Sequence, residues 1–470
     1  MLKSLRIQNF KLWQDTGHIR MAPITLFFGT NSSGKSSIGQ FLMMLKQTVE
    51  SPDRRAVFYP GGRNTAVQLG SFQEMVLHRD PKNRITFDYT WDFTDTLQIK
   101  DRLSGETYTG NTLSFGAEVG LSDKDRHPLT LLHMKYELAD EANPSMLSVG
   151  MKRVSEAKSG YEVEAAPYHL VRNPGRPWAA GAPVRFYGFP DEVVAYHQNA
   201  DFVQELNLWH EKLFRSLFYL GPLRTKPERL YSWAGTEPES VGYAGENAIA
   251  ATLAARNRMI GLGYRKKYRP FEEIIAYELK NMGLIDEFKV NPISEQRQEY
   301  AVTVRTKGST DWVDLPDVGF GISQVLPVLV QCFYAPANSV IIMEQPEIHL
   351  HPSAQAALAD VMIDVINARE SGADRNIQLI IETHSEHFLR RLQRRIAEDG
   401  LSQDKVSAHF ACVAPTPARL EPLQIGEYGN IRNWPENFFG DEMGDVTEQA
   451  KAGLKKRIRQ TKNSEASQHE

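Results

Sequence analysis

Cysteine is scarce. Cys332 and Cys412 are the only two in 470 residues, and neither belongs to a Cys-x-x-Cys pair, which excludes a disulfide-stapled framework and a thiolate zinc centre. Long apolar runs are also missing: stretches such as residues 24–28, interrupted by Thr25, and 340–343 fall far short of the ~20 needed to span a bilayer. Neither sign of charge dominates, since 54 basic residues against 58 acidic ones leave a net −4. That balance excludes a polybasic nucleic-acid sponge and a disordered polyelectrolyte. Residues 1–10 alternate charge with apolar positions and have no apolar stretch of the kind that heads a secretion signal. A soluble, cytoplasmic chain is expected. No internal repeat and no sustained heptad pattern occur, so a long coiled-coil arm is not expected.

With 41% of its residues hydrophobic, the chain can bury a large core, and its length suggests two or three domains or one domain with a large insertion. Residues 1–28 read as a strand pair, with Leu5 and Ile7, then Ile24, Leu26 and Phe28 at period two, and a turn near residues 15–17. Beyond Gly34 the period becomes helical, through Ile38, Phe41, Leu42, Leu45 and Val49, until Pro52 closes the segment. Short β-like stretches at 85–91, 112–119, 129–136 and 146–154, separated by turn residues, predict a β-meander. An irregular Pro- and Gly-rich stretch over 166–200 leads to a helix at 202–217. After it, apolar strands at 340–343 and 377–381 alternate with helices, one carrying Ala354, Leu358, Val361, Met362 and Val365, the other starting near Glu386. The alternation predicts an α/β fold around a mostly parallel sheet. The expected organisation is an N-terminal lobe over 1–95, a β-rich insertion and connecting helix over 96–214, a C-terminal lobe over 215–440 and a polar tail over 441–470 that holds Lys455, Lys456, Arg457 and Arg459.

The strongest local signal is Gly29-Thr30-Asn31-Ser32-Ser33-Gly34-Lys35-Ser36. It matches G-x-x-x-x-G-K-[ST] in the strand-to-helix context this phosphate loop requires. The glycines let backbone N–H groups converge on phosphate oxygens, Lys35 brings a point charge to the β and γ phosphates, and Ser36 offers a hydroxyl to Mg²⁺. Gly29, Asn31, Ser33, Gly34, Lys35, Ser36 and Ser37 are the expected nucleotide contacts. An ATPase of this kind also needs a carboxylate at the end of a buried strand. The run Ser339-Val340-Ile341-Ile342-Met343-Glu344 supplies Glu344 for Mg²⁺. The next position, where a second carboxylate would polarise the attacking water, is Gln345, followed by Pro346 and Glu347. An amide orients water but cannot take its proton, so hydrolysis is slow, or Glu347 or another group stands in, or Gln345 positions water as a GTPase glutamine does. Upstream, Asp317-Val318-Gly319-Phe320-Gly321-Ile322-Ser323-Gln324 is a glycine-rich turn opening a helix, in which Gly319, Gly321, Ser323 and Gln324 could meet a γ-phosphate. In Glu382-Thr383-His384-Ser385, His384 stands where a γ-phosphate-sensing histidine would.

In this order the motifs resemble the ABC-type ATPase heads of the SMC, RecF and OLD group. Residues 344–352 (EQPEIHLHP) and 382–387 (ETHSEH) are similar to bacterial anti-phage ATPases, most of all to the Septu ATPase family. Segments 219–224 and 242–247 are shared with the wider group, and the resemblance covers about 1–95 and 215–440. It implies ATP and Mg²⁺ as cofactors and a head-to-tail homodimer or higher oligomer, with the glycine-rich turn of one copy covering nucleotide held by the other. It also implies an HNH-type or other effector nuclease as partner.

Gln73, in Gly70-Ser71-Phe72-Gln73-Glu74, is a candidate by position for the glutamine that links Mg²⁺ and the γ-phosphate to the adjoining lobe. Lys11 is either near the nucleotide or a solvated lysine. His349 and His351 lack the carboxylate and cysteine partners of a metal site and read as a polar turn. Arg390, Arg391, Arg394 and Arg395, and separately Arg265, Lys266, Lys267 and Arg269, could track a DNA backbone or be solvated faces. Arg224 and Arg229 read as structural or inter-domain arginines. No H-N-H cluster is found, no Asp-x-Asp group follows His384, and the stretch after His384 is expected to be too short for a Toprim nuclease. The sequence therefore points to a slow ATPase that senses and scaffolds, with an autonomous RecF-like repair ATPase as the alternative. A transporter subunit and a P-loop kinase fit less well.

Overall fold

The computed structural model describes residues 1–101, 103–122, 129–140, 146–155, 158–175, 179–294, 297–413, 418–435 and 447–456. Its centre is a six-stranded sheet in the order Leu217–Leu220, Val340–Glu344, Gln378–Glu382, Ile24–Gly29, Val406–Cys412, Arg419–Pro422. The first five strands run parallel and the last closes the edge antiparallel. Parallel strands covered on both faces need near-continuous apolar sequence, and the runs VIIME, QLIIE and ITLFFG provide it.

Successive side chains point to opposite faces, and the two faces feed two separate cores. Ile24, Leu26, Phe28, Ile341, Met343, Leu379 and Ile381 pack with Ile274, Val325, Leu358 and Leu389, which come from helices Phe271–Asn281, Phe320–Tyr334, Pro352–Asn367 and Glu386–Ala397. Phe27, Val340, Ile342 and Ile380 pack with Ile38 and Phe41 of helix Lys35–Glu50 and with Phe214 of helix Phe202–Arg215. Helices on both faces leave the carboxyl ends of the strands as an open crevice, where ligands bind in sheets of this kind. Gly29, Glu344 and Glu382 all end strands at that edge.

The second core is shared with an antiparallel sheet in the order Trp13–Asp15, Leu2–Phe10, Ile85–Lys100, Thr107–Leu121, Leu129–Ala139, Leu147–Ser155, Lys158–Ala166. The expected meander is present. The strand pair expected within residues 1–28 is not. Leu2–Phe10 pairs with Trp13–Asp15 and Ile19–Arg20, while Ile24–Gly29 joins the parallel sheet. Its uninterrupted apolar run suits burial on both faces, whereas Leu2–Phe10 alternates buried with less buried positions. Residues 95 and 96, where the N-terminal lobe was expected to give way to the β-rich segment, lie inside the Ile85–Lys100 strand, so the two regions share one sheet.

Helix Phe202–Arg215 is clamped to the meander by His210, which is fully buried. The Tyr136 hydroxyl donates to the Tyr187 carbonyl (3.0 Å) and so accepts from His210 Nδ1 (2.8 Å), leaving Nε2 to accept from Tyr89 (2.9 Å). Burial holds this imidazole neutral, well below its ordinary pKa. Of the polar tail, residues 447–456 are described as an exposed helix, and Arg457 and Arg459 lie outside the described residues. Among the described residues no helix is long and apolar enough to cross a membrane.

Candidate active site

Backbone geometry at Gly29 and Gly34 shapes the phosphate loop. Gly29 ends its strand at φ +143°, and a Cβ there would meet the Ala411 carbonyl oxygen at 2.5 Å. Gly34 caps the following helix at φ +90°, with the Trp13 ring 3.0 Å from where its Cβ would lie. Only glycine fits either place. Ser32 is also left-handed, at φ +61°. Helix Lys35–Glu50 has no acidic residue in its first turn and no side-chain cap, so its first N–H groups face the loop, an arrangement suited to an anion. Lys35 Nζ lies within the loop on the carbonyls of Gly29 (3.1 Å) and Thr30 (2.7 Å), with the buried Ser33 Oγ at 3.4 Å. Asn31 is exposed at the tip. Ser37 is committed inward: its hydroxyl donates to the Gly34 carbonyl and accepts from Trp13 Nε1 (2.8 Å), and its N–H also bonds Gly34. It supports the loop and has no free donor for phosphate.

Two carboxylates stand beside the loop. Glu344 pairs in register with Glu382, which on its other side pairs with Phe27. Glu344 is 8% exposed, accepts from the Tyr219 hydroxyl at 2.7 Å, and is pushed up to about 7 by burial, with Glu382 adding to the rise. Glu382 is raised by burial in turn, against a hydrogen bond from Ser36 and the charge of Lys35, whose Nζ is 4.0 Å away. Two buried, mutually repelling carboxylates next to a serine hydroxyl form a donor set for a hard divalent cation. Among the described residues, the buried Glu382 Oε2 has no hydrogen-bond partner. The loop's glycine cradle and this orphaned oxygen fit a nucleotide with its Mg²⁺.

Gln345 turns away from the strand at φ +46°, its N–H on the Glu382 carbonyl (2.8 Å) and its side chain half-buried. Glu347 points inward instead. It is 6% exposed, and its Oε1 accepts the His384 backbone N–H at 2.8 Å. Burial raises its pKa, opposed in part by the charge of Arg224. Arg224, equally buried, donates Nη2 to the Glu344 carbonyl (3.1 Å) and reaches that of Gln345 (3.4 Å). The His384 imidazole is open to solvent on one side, and desolvation, then Lys35, keep its pKa below the ordinary value. Glu344 and Glu382 thus end neighbouring strands beside the phosphate loop, the charge of Lys35 reaches the His384 ring, and Gln345 and Glu347 lie on the turn that follows Glu344.

Other expected residues lie elsewhere. Gly319 caps helix Phe320–Tyr334 as anticipated, but Ser323 and Gln324 are buried, and Ser323 Oγ bonds its own helix at the Phe320 carbonyl (2.8 Å). Gly321 packs on the turn after Glu344, where a Cβ would come within 2.8 Å of the His349 carbonyl oxygen. Among the described residues no hydrogen bond joins this segment to the phosphate loop of its own chain. Gln73 is exposed on the short helix Phe72–Met75 and, among the described residues, has no hydrogen bond to Ser36 or Glu344, so its expected place at Mg²⁺ is not formed. Lys11 bonds the Met75 carbonyl through its N–H (2.7 Å). His351 caps helix Pro352–Asn367 through Ser353, and no group of three or more His, Cys, Asp or Glu suited to a metal occurs among the described residues. The basic strip is neutralised: Arg390 pairs with Glu386, Arg391 with Asp360, Arg394 with Glu398, and Arg395 with both Asp360 and Glu398. Arg229 pairs with Asp314 and Asp317.

The sequence reading missed Tyr219 and above all Glu382, whereas Arg224, read as structural, holds the backbone at Glu344 and Gln345. One signal was available for Glu382: like Glu344, it closes a wholly apolar run, Leu379 to Ile381.

A strand-loop-helix phosphate cradle at the carboxyl edge of a parallel sheet, with buried carboxylates on neighbouring strands, defines an α/β P-loop ATPase head. Residues 1–164 match the family described as AAA ATPase domain, and residues 196–390 match "AAA domain, putative AbiEii toxin, Type IV TA system". Residues 401–449 match a family described only as a protein of unknown function, DUF3696. No curated protein matches the chain. Solved structures that resemble it include the SMC head domain from Thermotoga maritima, with TM-score 0.40, 10% identity, and coverage of 90% of this chain and 99% of that one. A second is the SmcHead bound to the C-winged helix domain of ScpA, with TM-score 0.43, 9% identity and coverage of 90% and 98%. A third, from Pyrococcus furiosus, is an Smc head with an extended coiled coil bound to the C-terminal domain of ScpA, with TM-score 0.39, 9% identity and coverage of 90% and 96%.

Proposed function

We propose that this ATPase is a nucleotide-held switch: it binds Mg-ATP, hydrolyses it slowly, and in the ATP-bound form gates a separate effector nuclease, of HNH or another type, in a Septu-like anti-phage system. The observation that carries the reading is the neutral Gln345 directly after Glu344, with the nearby carboxylate of Glu347 turned inward onto the His384 N–H. The family description that names an AbiEii toxin and a toxin–antitoxin system supports a place in bacterial defence.

In this reading Gly29, Asn31, Ser33, Gly34 and Lys35 hold the phosphates, while Ser36 and Glu344 hold the cation. Mg²⁺, when bound, neutralises charge on the β and γ oxygens. Gln345 orients the attacking water without removing its proton. Glu347 positions the backbone at His384, whose ring faces the γ-phosphate. The Gly319–Gly321 turn, which stays apart from its own phosphate loop, serves the nucleotide of a second copy, so ATP draws two copies together. Mass photometry tests this directly. Mg-ATP should shift the native chain to a dimer or larger species and leave Lys35→Ala unchanged. A mass that does not respond to ATP overturns the switch.

A further inference from the structure

Glu382 ends the strand lying between the phosphate-loop strand and the Glu344 strand, in register with Phe27 on one side and Glu344 on the other. Neighbouring strands are about 4.8 Å apart, so the two glutamates stand side by side at the sheet edge. Ser36, which follows Lys35 at the start of the helix, is near enough to the Glu382 carboxylate to favour its charged form. The Glu382 side chain is only 10% exposed, and its Oε2 is sealed from solvent and, among the described residues, has no hydrogen-bond partner. Lys35 does not fill that role: its Nζ is 4.0 Å from Oε1, beyond hydrogen-bond reach, and is spent on the Gly29 and Thr30 carbonyls. A buried carboxylate oxygen left without a partner is a standing cost. A hard cation bound between Ser36 and Glu344 would remove it.

We infer that Glu382 is a second acidic ligand of the Mg²⁺ that accompanies ATP, so that the cation is held among Ser36, Glu344 and Glu382. The inference rests on the ATP-binding reading and deepens it. A role for Glu382 as the missing base is disfavoured by its place beside Ser36, on the metal side of the site, whereas Gln345 occupies the position after Glu344. The added negative charge has a consequence that a structural role would not share. Without metal, two carboxylates repel the phosphates; with metal, they hold it more tightly.

The test is Mn²⁺ binding by electron paramagnetic resonance on the full chain with a non-hydrolysable ATP analogue, alongside analogue binding in EDTA. Glu382→Gln should weaken Mn²⁺ by at least about tenfold and leave analogue binding in EDTA equal or tighter. Glu382→Asp, which keeps the charge, should retain most of the Mn²⁺ affinity and serves if the Gln variant folds poorly. Unchanged Mn²⁺ affinity in Glu382→Gln overturns the inference, and so does an equal loss of analogue binding with and without metal. If the native chain itself binds no analogue, the ATP reading fails and this inference fails with it. A failure confined to the variants leaves the ATP reading standing.

Discussion

The Tyr219 hydroxyl donates to Glu344 Oε1 at 2.7 Å from the neighbouring strand, both side chains being more than nine-tenths buried. The bond fixes one carboxylate oxygen and leaves the other for the crevice. Tyr219→Phe removes the donor and strands a buried charge, so at pH ~8 it should cost about 1.5–3 kcal/mol of unfolding free energy. The check is a lower urea midpoint at unchanged slope.

Lys35 is the cation enclosed by the loop, on the carbonyls of Gly29 and Thr30. Lys35→Ala should abolish ATP binding measured by calorimetry while the fold persists, because the side chain faces the cradle and not either core. Unaltered affinity would contradict the phosphate-loop assignment.

Arg224 is 7% exposed and, among the described residues, is held through Nη2 with Nε and Nη1 unpartnered, and the charge of Glu347 acts on it. Removing the guanidinium takes a charged donor from the Glu344 and Gln345 carbonyls. Arg224→Met should destabilise the chain by about 1.5–3 kcal/mol, and the double variant with Glu347→Gln should recover part of that loss in the same denaturation experiment, because the charge of Glu347 acts on Arg224 as well.

Stability should fall on both flanks of the pH range, for opposite reasons. Glu278, 1% exposed with Oε1 unpartnered, is pushed up to about 8 by burial and then by Asp364. Its contribution is whole below about pH 4.5 and drains as pH rises to about 8, because the unfolded chain releases a proton that the fold retains. The upper bound is about 1.4 kcal/mol per pH unit. Glu278→Gln should therefore gain stability over the native chain progressively between those pH values. His409 is lowered to about 4 by burial. Here the unfolded chain takes up a proton below about pH 6.5 that the fold refuses, so stability drops on acidification from about 6.5 to 4. Denaturant midpoints at about pH 5 and pH 8 separate the two. A Glu278→Gln difference that does not grow with pH would contradict the assignment.

The phosphate loop and the two apolar strands ending in Glu344 and Glu382 were legible because each is a local pattern: a fixed glycine spacing, or an unbroken buried run. The meander was legible by alternation. The fate of residues 1–28 was not, because pairing partners far along the chain decide it: Leu5 pairs with Tyr89, and Leu26 with Ile381 and Ala408. The direction of Glu347 was equally hidden, since the group it meets, the His384 N–H, lies beyond another helix and strand. Gln73 and the arginine strip show the converse. Their spacing was suggestive, but exposure in one case and ion pairs in the other decide what the side chains do.

The central claim is that Gln345 makes this ATPase a slow switch, and the most direct measurement is steady-state ATP turnover at saturating Mg-ATP, with and without duplex DNA, for the native chain and Gln345→Glu. Slow native turnover that DNA does not accelerate, rising when the carboxylate is supplied, is the predicted result. Rapid, DNA-stimulated turnover by the native chain alone would contradict the account and favour an autonomous RecF-like repair ATPase.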